Sequence, residues 1–295
     1  MTPSFLGNTS LSFAFFGTPD VASETLELLH AGGYTPSLII TAPDRPVGRH
    51  FTLTPSPVKT WALEHDIPFI QPEKLTAEVV AEIGKLIQDH AITLSLVVAY
   101  GKIMPESLIE LPELGTINIH YSLLPKYRGA SPVESAVLHG DSETGIAIQQ
   151  MVYALDAGAV LAERKISIDP DETAPALRKR LITLGGELLV ETLPFIINGT
   201  ARAHAREQDH TLATKCGKIK KEDGHINPFT DDPETLWNKY RAYYGWPGLY
   251  FFDEDNKRIK ITRARLERNP NKPSRFIIEK VIPEGKKEID WNNPL

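Results

Sequence analysis

Apolar residues fall into two recurring patterns over the first two-thirds of the chain. Short unbroken runs bounded by turn residues predict buried strands at Ser12–Gly17, Ser37–Thr41, Leu94–Tyr100 and Thr116–His120. Segments with apolar residues at helical spacing, Val21–His30, Val58–His65, Ala77–Asp89 and Pro132–His139, predict the helices between and after them, and Ala174–Ile197 predicts a long amphipathic one. Gly145–Met151 and Val160–Ile168 predict two further strands that flank a turn of small residues, Ala154–Gly158. Alternation of this kind predicts an α/β fold built on an open, mostly parallel, Rossmann-like sheet with right-handed connections. The stretch Ala42–Pro55 holds three prolines and reads as a fourteen-residue loop without regular structure. Loops of that length inside a compact domain are commonly functional.

The pattern changes near Asn198–Asp209. Beyond it lie one helix around Pro233–Tyr243 and three short strand-like runs, Leu249–Phe252, Arg258–Thr262 and Phe276–Val281, with a turn at Asp253–Asn256. Short strands separated by turns predict a small β-barrel. The expected division is a first domain over 1–200, a linker over 201–208 and a C-terminal barrel over 209–295.

Charge adds one feature to this picture. The chain carries a formal net charge of −6, yet from Glu207 onward 17 basic residues face 15 acidic ones. Lys257–Arg275 alone holds eight basic residues against a single acid, Glu267. That asymmetry permits a polyanionic partner at the C-terminal part, and a solvated strand face accounts for it equally well. No apolar run approaches the ~18 residues of a membrane span. The first twenty residues lack the basic stretch and cleavage site of a secretory signal. With one cysteine, Cys216, an internal disulfide is excluded, and the nine histidines show no metal-ligand spacing. A reducing cytoplasm and a site without metal are therefore expected. Cys216 lies in a basic segment and reads as a bystander thiol.

Candidate chemistry concentrates at Thr116–Gly129, TINIHYSLLPKYRG. Asn118 and His120 are two apart on a strand and therefore share a face. They sit at the strand's end, where open α/β sheets keep their sites. An imidazole shuttles protons near neutral pH and an amide donates to a developing oxyanion, as acyl transfer needs. Taken alone, such a pair more often caps a turn. Asp156 lies 36 residues after His120 in the small-residue turn. A carboxylate there could hold the imidazole's tautomer, or simply shape the turn. The turn Phe16–Asp20 holds only Gly17 and is not a dinucleotide-binding glycine loop.

The words around these residues resemble a known family. Asn118-x-His120-x-Ser122-Leu123-Leu124-Pro125, then Tyr127-Arg128-Gly129-Ala130-Ser131-Pro132, and Leu155-Asp156-x-Gly158 downstream, resemble the folate-dependent formyltransferases. Phe16–Asp20, Pro43–Arg49, Pro55–Lys59, Val97–Pro105, Lys218–Gly224 and Trp246–Gly248 narrow the resemblance to the methionyl-tRNA formyltransferases. The resemblance implies transfer of a formyl group from 10-formyltetrahydrofolate to the α-amine of initiator methionyl-tRNA, by a monomer. It implies Asn118, His120 and Asp156 as the catalytic residues. Val98, Tyr100, Gly101, Ile103, Ser122, Leu123, Leu124, Pro125 and Leu155 would contact the folate. Arg45 and Arg49 in the 42–55 loop, with Lys215, Lys218, Lys220 and Lys221, would contact tRNA, and the C-terminal barrel would be oligonucleotide-binding-like. Arg45 could pair with Asp44 or hold the base of its loop. Two departures stand out: His50-Phe51-Thr52 follows Arg49 where the family often carries lysines, and Tyr121 stands where it commonly has proline. A sugar-nucleotide N-formyltransferase shares the Asn–His–Asp core and is the alternative. A purine-biosynthetic formyltransferase, a formyltetrahydrofolate hydrolase and a non-catalytic folate- or tRNA-binding protein fit the loops, the tail or the intact core less well.

Overall fold

The computed structural model describes residues 11–48, 51–269 and 271–292. From the N-terminus the elements are β1 (Phe13–Gly17), α1 (Asp20–Ala31), β2 (Leu38–Ile40), β3 (Arg45–Val47), β4 (Thr52–Thr54), α2 (Pro57–Glu64), β5 (Phe69–Ile70) and α3 (Ala77–Asp89). There follow β6 (Leu94–Val98), α4 (Glu106–Ile109), β7 (Thr116–His120), β8 (Arg128–Gly129), α5 (Pro132–Leu138), β9 (Glu143–Gln150), β10 (Val160–Ser167), α6 (Ala174–Ile197) and α7 (Thr200–Ala203). The tail holds β11 (Lys215–Cys216), α8 (Pro233–Ala242), β12 (Tyr250–Phe252), β13 (Arg258–Asn269), β14 (Lys272–Pro283) and β15 (Ile289–Asp290). The contacts divide the chain into two units: Met1–His120 with Ile146–Arg164 and Ile182–Thr211, and Tyr121–Gly145 with Lys165–Leu181 and Leu212–Leu295.

A seven-stranded sheet in the order β10-β9-β7-β6-β1-β2-β5 carries the fold. β7, β6, β1, β2 and β5 run parallel, and β9 lies antiparallel to β7. β1 and β6 are buried along their whole length, which is why each reads as an unbroken apolar run. On one face Ala14, Phe16, Leu38, Ile40 and Val97 pack with Ile83 and Ile87 of α3 and Leu108 and Ile109 of α4. Helix starts follow local chemistry. Ser56 accepts from Lys59 N at 3.1 Å ahead of Pro57, and Asp232 accepts from Thr235 N at 2.9 Å ahead of Pro233.

Two expectations are corrected and a third, the small C-terminal barrel, is refined. The 42–55 stretch is not structureless: β3 and β4 pair antiparallel with Arg45 opposite Thr54 and Val47 opposite Thr52. This short ladder stands apart from the main sheet, which lets Pro46 sit in it without removing a needed donor. Strand β6 stops at Val98, because Ala99 turns the backbone to φ 47°. The C-terminal part is a four-stranded antiparallel sheet, β12-β13-β14-β15, and not a closed barrel. Closure needs the edge strands to pair with each other, and here the edges are three and two residues long. Its centre is one long hairpin, β13–β14, with register shifts between Ile261 and Ala264 and between Glu267 and Asn269. Tyr240 of α8 packs on this sheet, its hydroxyl donating to Thr262 O at 3.4 Å and its ring 6.4 Å from that of Phe276.

Candidate active site

Parallel strands end on one edge, and register fixes which residues meet there. Gly17 pairs with Val98, and Val97 with Asn118, so the C-terminal ends of β1, β6 and β7 lie side by side. Across the antiparallel pair Asn118 stands opposite Gln149 of β9. Asn118 Nδ2 donates to Val97 O at 3.0 Å. Gln149 Nε2 donates to Asn118 Oδ1 at 3.3 Å and to Asp156 Oδ1 at 3.0 Å. The same Asp156 oxygen lies 3.7 Å from His120 Nδ1, an ion-pair distance longer than a hydrogen bond. Side-chain exposure is 6% for His120 and 14% for Asp156. The three residues singled out in the sequence therefore converge.

The turn bearing Asp156 is tied down from behind. Asp156 adopts φ 48°. Gln208 Nε2 donates to Asp156 O at 3.0 Å and to Gly158 O at 2.6 Å. At Gly158 a Cβ would fall 1.7 Å from Gln150 O, so only glycine lets the turn lie this close to β9. Gln149 and Gln208 escaped the sequence reading. The one available signal was a glutamine pair, Gln149-Gln150, at the end of an otherwise apolar strand.

Of the residues implied for folate, Val98 and Tyr100 are buried, while Gly101, Ile103 and Leu155 face solvent, Ile103 at 86% and Leu155 at 69% exposure. The Tyr100 hydroxyl is buried without a hydrogen-bond partner among the described residues, and burial pushes its pKa up to about 12. The Ser122–Pro125 turn belongs to the second unit. Ser122 Oγ donates to Lys126 O at 2.6 Å, Leu124 is buried, Leu123 and Pro125 are half-buried, and the Leu124–Pro125 peptide is cis. Tyr121, the residue that departs from the family pattern, is buried. Gly129 closes this region: a Cβ there would fall 2.0 Å from Cys216 O of the paired strand β11.

Comparison with known proteins decides the family. The family model described as formyl transferase matches residues 11–193, and that of the formyl transferase C-terminal domain matches 218–289. A methionyl-tRNA formyltransferase of Geobacter metallireducens is 44% identical over 89% of this chain and 82% of its own length. One from Thermotoga maritima is 43% identical over 82% of this chain and 75% of its own. The chain belongs to the methionyl-tRNA formyltransferase family. Solved structures share the fold at a greater distance. An N-formyltransferase from Helicobacter canadensis, in complex with folinic acid and dTDP-3-aminofucose, is 18% identical with a TM-score of 0.65, over 95% of this chain and 98% of that one. HypX from Aquifex aeolicus, in complex with tetrahydrofolic acid, is 13% identical with a TM-score of 0.59, over 96% of this chain and 46% of that one.

For a member of the methionyl-tRNA formyltransferase family, the placement of the remaining cations matters. Arg45 pairs with Glu73 at 2.7 Å, not with Asp44. Asp44 instead accepts from Lys59 Nζ at 2.7 Å and from Gln71 Nε2 at 2.8 Å, and these two donors, Gln71 first, hold its carboxyl below the usual range. Arg49 lies outside the described residues, and Phe51, two positions on, is 78% exposed. Lys215, Lys218, Lys220 and Lys221 are exposed, and none is in an ion pair among the described residues. The basic strip on β13 is partly neutralised: Arg263 and Arg265 reach Glu279 at 2.7 and 3.1 Å, and Arg268 reaches Glu234 at 3.0 Å. Among the described residues, no helix is long and apolar enough to cross a membrane.

Proposed function

We propose that this chain transfers the formyl group of 10-formyltetrahydrofolate to the α-amine of methionyl-initiator tRNA, giving N-formylmethionyl-tRNA. The observation that carries the reading is the convergence of Asn118, His120 and Asp156 at one strand edge, in a chain whose relatives at 43–44% identity are methionyl-tRNA formyltransferases. Attack by the amine forms the new C–N bond and moves charge onto the formyl oxygen. Asn118 has two Nδ2 hydrogens and Val97 O takes one, so the other is free to donate to that oxygen. His120 adds a second donor when protonated, and Asp156 holds its ring. Collapse breaks the old C–N bond, and the proton lost by the amine passes through His120 to the departing folate nitrogen.

In the same reading, residues 1–200 form the catalytic domain, 201–208 the linker and 209–295 the tRNA grip. Val98, Tyr100, Gly101, Ile103, Leu155 and the Ser122–Pro125 turn contact the folate. Arg45, Arg49, Lys215, Lys218, Lys220 and Lys221 contact phosphates, which position the acceptor stem without reading sequence. The protein acts as a cytoplasmic monomer. A sugar-nucleotide N-formyltransferase is the second reading, supported by the fold shared with the Helicobacter canadensis enzyme at 18% identity. An assay with 10-formyltetrahydrofolate and either charged initiator tRNA or a dTDP-amino sugar separates the two. Formylation of the tRNA alone is expected, and formylation of the sugar alone overturns the proposal.

A further inference from the structure

We infer that Gln149 is a positioning residue for this reaction, the side chain that sets the donor face of Asn118 and anchors the Asp156 carboxylate beside it. The inference rests on the roles given above to Asn118 and Asp156. Gln149 is 1% exposed and stands opposite Asn118 in the β7–β9 ladder. Its Nε2 reaches two oxygens, Asn118 Oδ1 at 3.3 Å and Asp156 Oδ1 at 3.0 Å. An amide oxygen and an ionised carboxylate only accept hydrogen bonds. The Gln149 amide therefore has one workable orientation: turned over, its oxygen would face two acceptors. The constraint passes along the line. With Oδ1 of Asn118 taken, Nδ2 must be the atom that faces Val97 O, and its second hydrogen is the one left for the substrate oxygen. Asp156 is held twice, its carbonyl by Gln208 and its carboxylate by Gln149, and that same carboxylate oxygen faces His120.

Packing alone does not explain a glutamine here. Gln149 Oε1 is buried with no hydrogen-bond partner among the described residues. A buried orphan acceptor is unfavourable, and an apolar side chain of similar length would avoid it. The position keeps a side chain with one unfavourable buried oxygen, and both of its donated bonds end on the reacting residues.

The test is steady-state formylation of charged initiator tRNA by full-length Gln149→Met and Gln149→Glu, beside Asn118→Ala and Asp156→Asn and the corresponding double variants. Methionine matches the length without donors, and glutamate keeps the shape with acceptors where the donors stood. Both are expected to lower kcat about 10-fold or more, as loss of a supporting partner does elsewhere, with KM for either substrate within about twofold. Gln149→Met is expected to shift Tm by only a few degrees, since it removes the orphaned oxygen together with the two donated bonds. In the Asn118→Ala, Asp156→Asn background the further loss is expected to shrink to less than about twofold, because residues acting as a unit are not additive. Gln149 variants with wild-type kcat overturn the inference, as does a loss that multiplies fully in the double variants. Near-normal turnover of Asn118→Ala and Asp156→Asn overturns instead the reading on which it rests.

Discussion

Gly158→Ala should damage both stability and rate, and the structure sets the size of the effect. The new Cβ would lie 1.7 Å from Gln150 O and 2.9 Å from its carbonyl carbon. Ordinary C···O contacts are about 3.3 Å or more, so the turn must back away by roughly 1.5 Å. A shift of that size breaks what spans the gap. Gln150 N donates to Ala159 O at 2.9 Å, and Gln208 Nε2 donates to Gly158 O at 2.6 Å and Asp156 O at 3.0 Å. Each lost bond costs about 0.5–1.5 kcal/mol net, and stranding the buried Gln208 amide about 1–3 kcal/mol more. The expected loss is about 2.5–7.5 kcal/mol, or roughly 4–12 °C in Tm for a chain of this size. Asp156 moves with the turn, and a displacement of about 1 Å at a reacting group costs on the order of 100-fold in kcat. Differential scanning calorimetry and initial rates at a temperature where the variant is folded measure the two effects separately. Gly84→Ala, inside α3, is the control: its Cβ meets only Leu111 Cδ2 at 3.5 Å, and replacing a helix-interior glycine should stabilise by about 0.5–1 kcal/mol. A Gly158→Ala protein with wild-type Tm and kcat would refute the claim that this turn has no room.

Binding of charged tRNA should weaken steeply between low and moderate salt, and removing Lys215, Lys218, Lys220 and Lys221 together should reduce the log–log slope by up to about 3–4. Arg263→Ala and Arg265→Ala should change that slope little, since Glu279 already occupies both; a flat wild-type response contradicts a phosphate-dominated grip. Tyr100→Phe removes a buried hydroxyl that has no partner among the described residues, and the free protein should gain about 1 kcal/mol. If that hydroxyl reads the folate, KM for 10-formyltetrahydrofolate rises several-fold with kcat held; an unchanged KM removes the hydroxyl from the contact set. The Asp44 carboxyl is held below its ordinary value of 3.8 by Gln71 and then Lys59. A depressed carboxyl supports the fold above that value and loses this support as pH falls through its lower folded pKa. Hydrogen exchange over residues 45–54 should therefore differ between wild type and Asp44→Asn at neutral pH and converge in acid; identical exchange at neutral pH counts against the anchor.

What could be read in advance depended on how much of each element is buried. The parallel strands and α3 showed their period because their apolar positions are covered, and Ala77–Asp89 and Thr116–His120 appear at their expected bounds. The β3–β4 ladder left no such trace: Thr52, Leu53 and Thr54 are all exposed, so no alternation marks a buried face. A different cause hid the length of β13: the register shifts between Ile261 and Ala264 move the buried face from Ile259 and Ile261 to Ala264, which breaks the alternation part-way. At the site, spacing sufficed for Asn118 and His120, which share a strand, and Asp156 needed the resemblance of its turn. Gln149 needed something neither supplies. Its contact with Asn118 comes from the β7–β9 register, and a slip of one residue would turn Gln149 to the opposite face. Gly158 helps hold that register, since it lets Gln150 N reach Ala159 O just past the end of β9. The glycine that spacing marks as part of a motif and the glutamine that spacing misses therefore serve one arrangement. The first lets the Asp156 turn lie against β9, and the second joins that turn to Asn118.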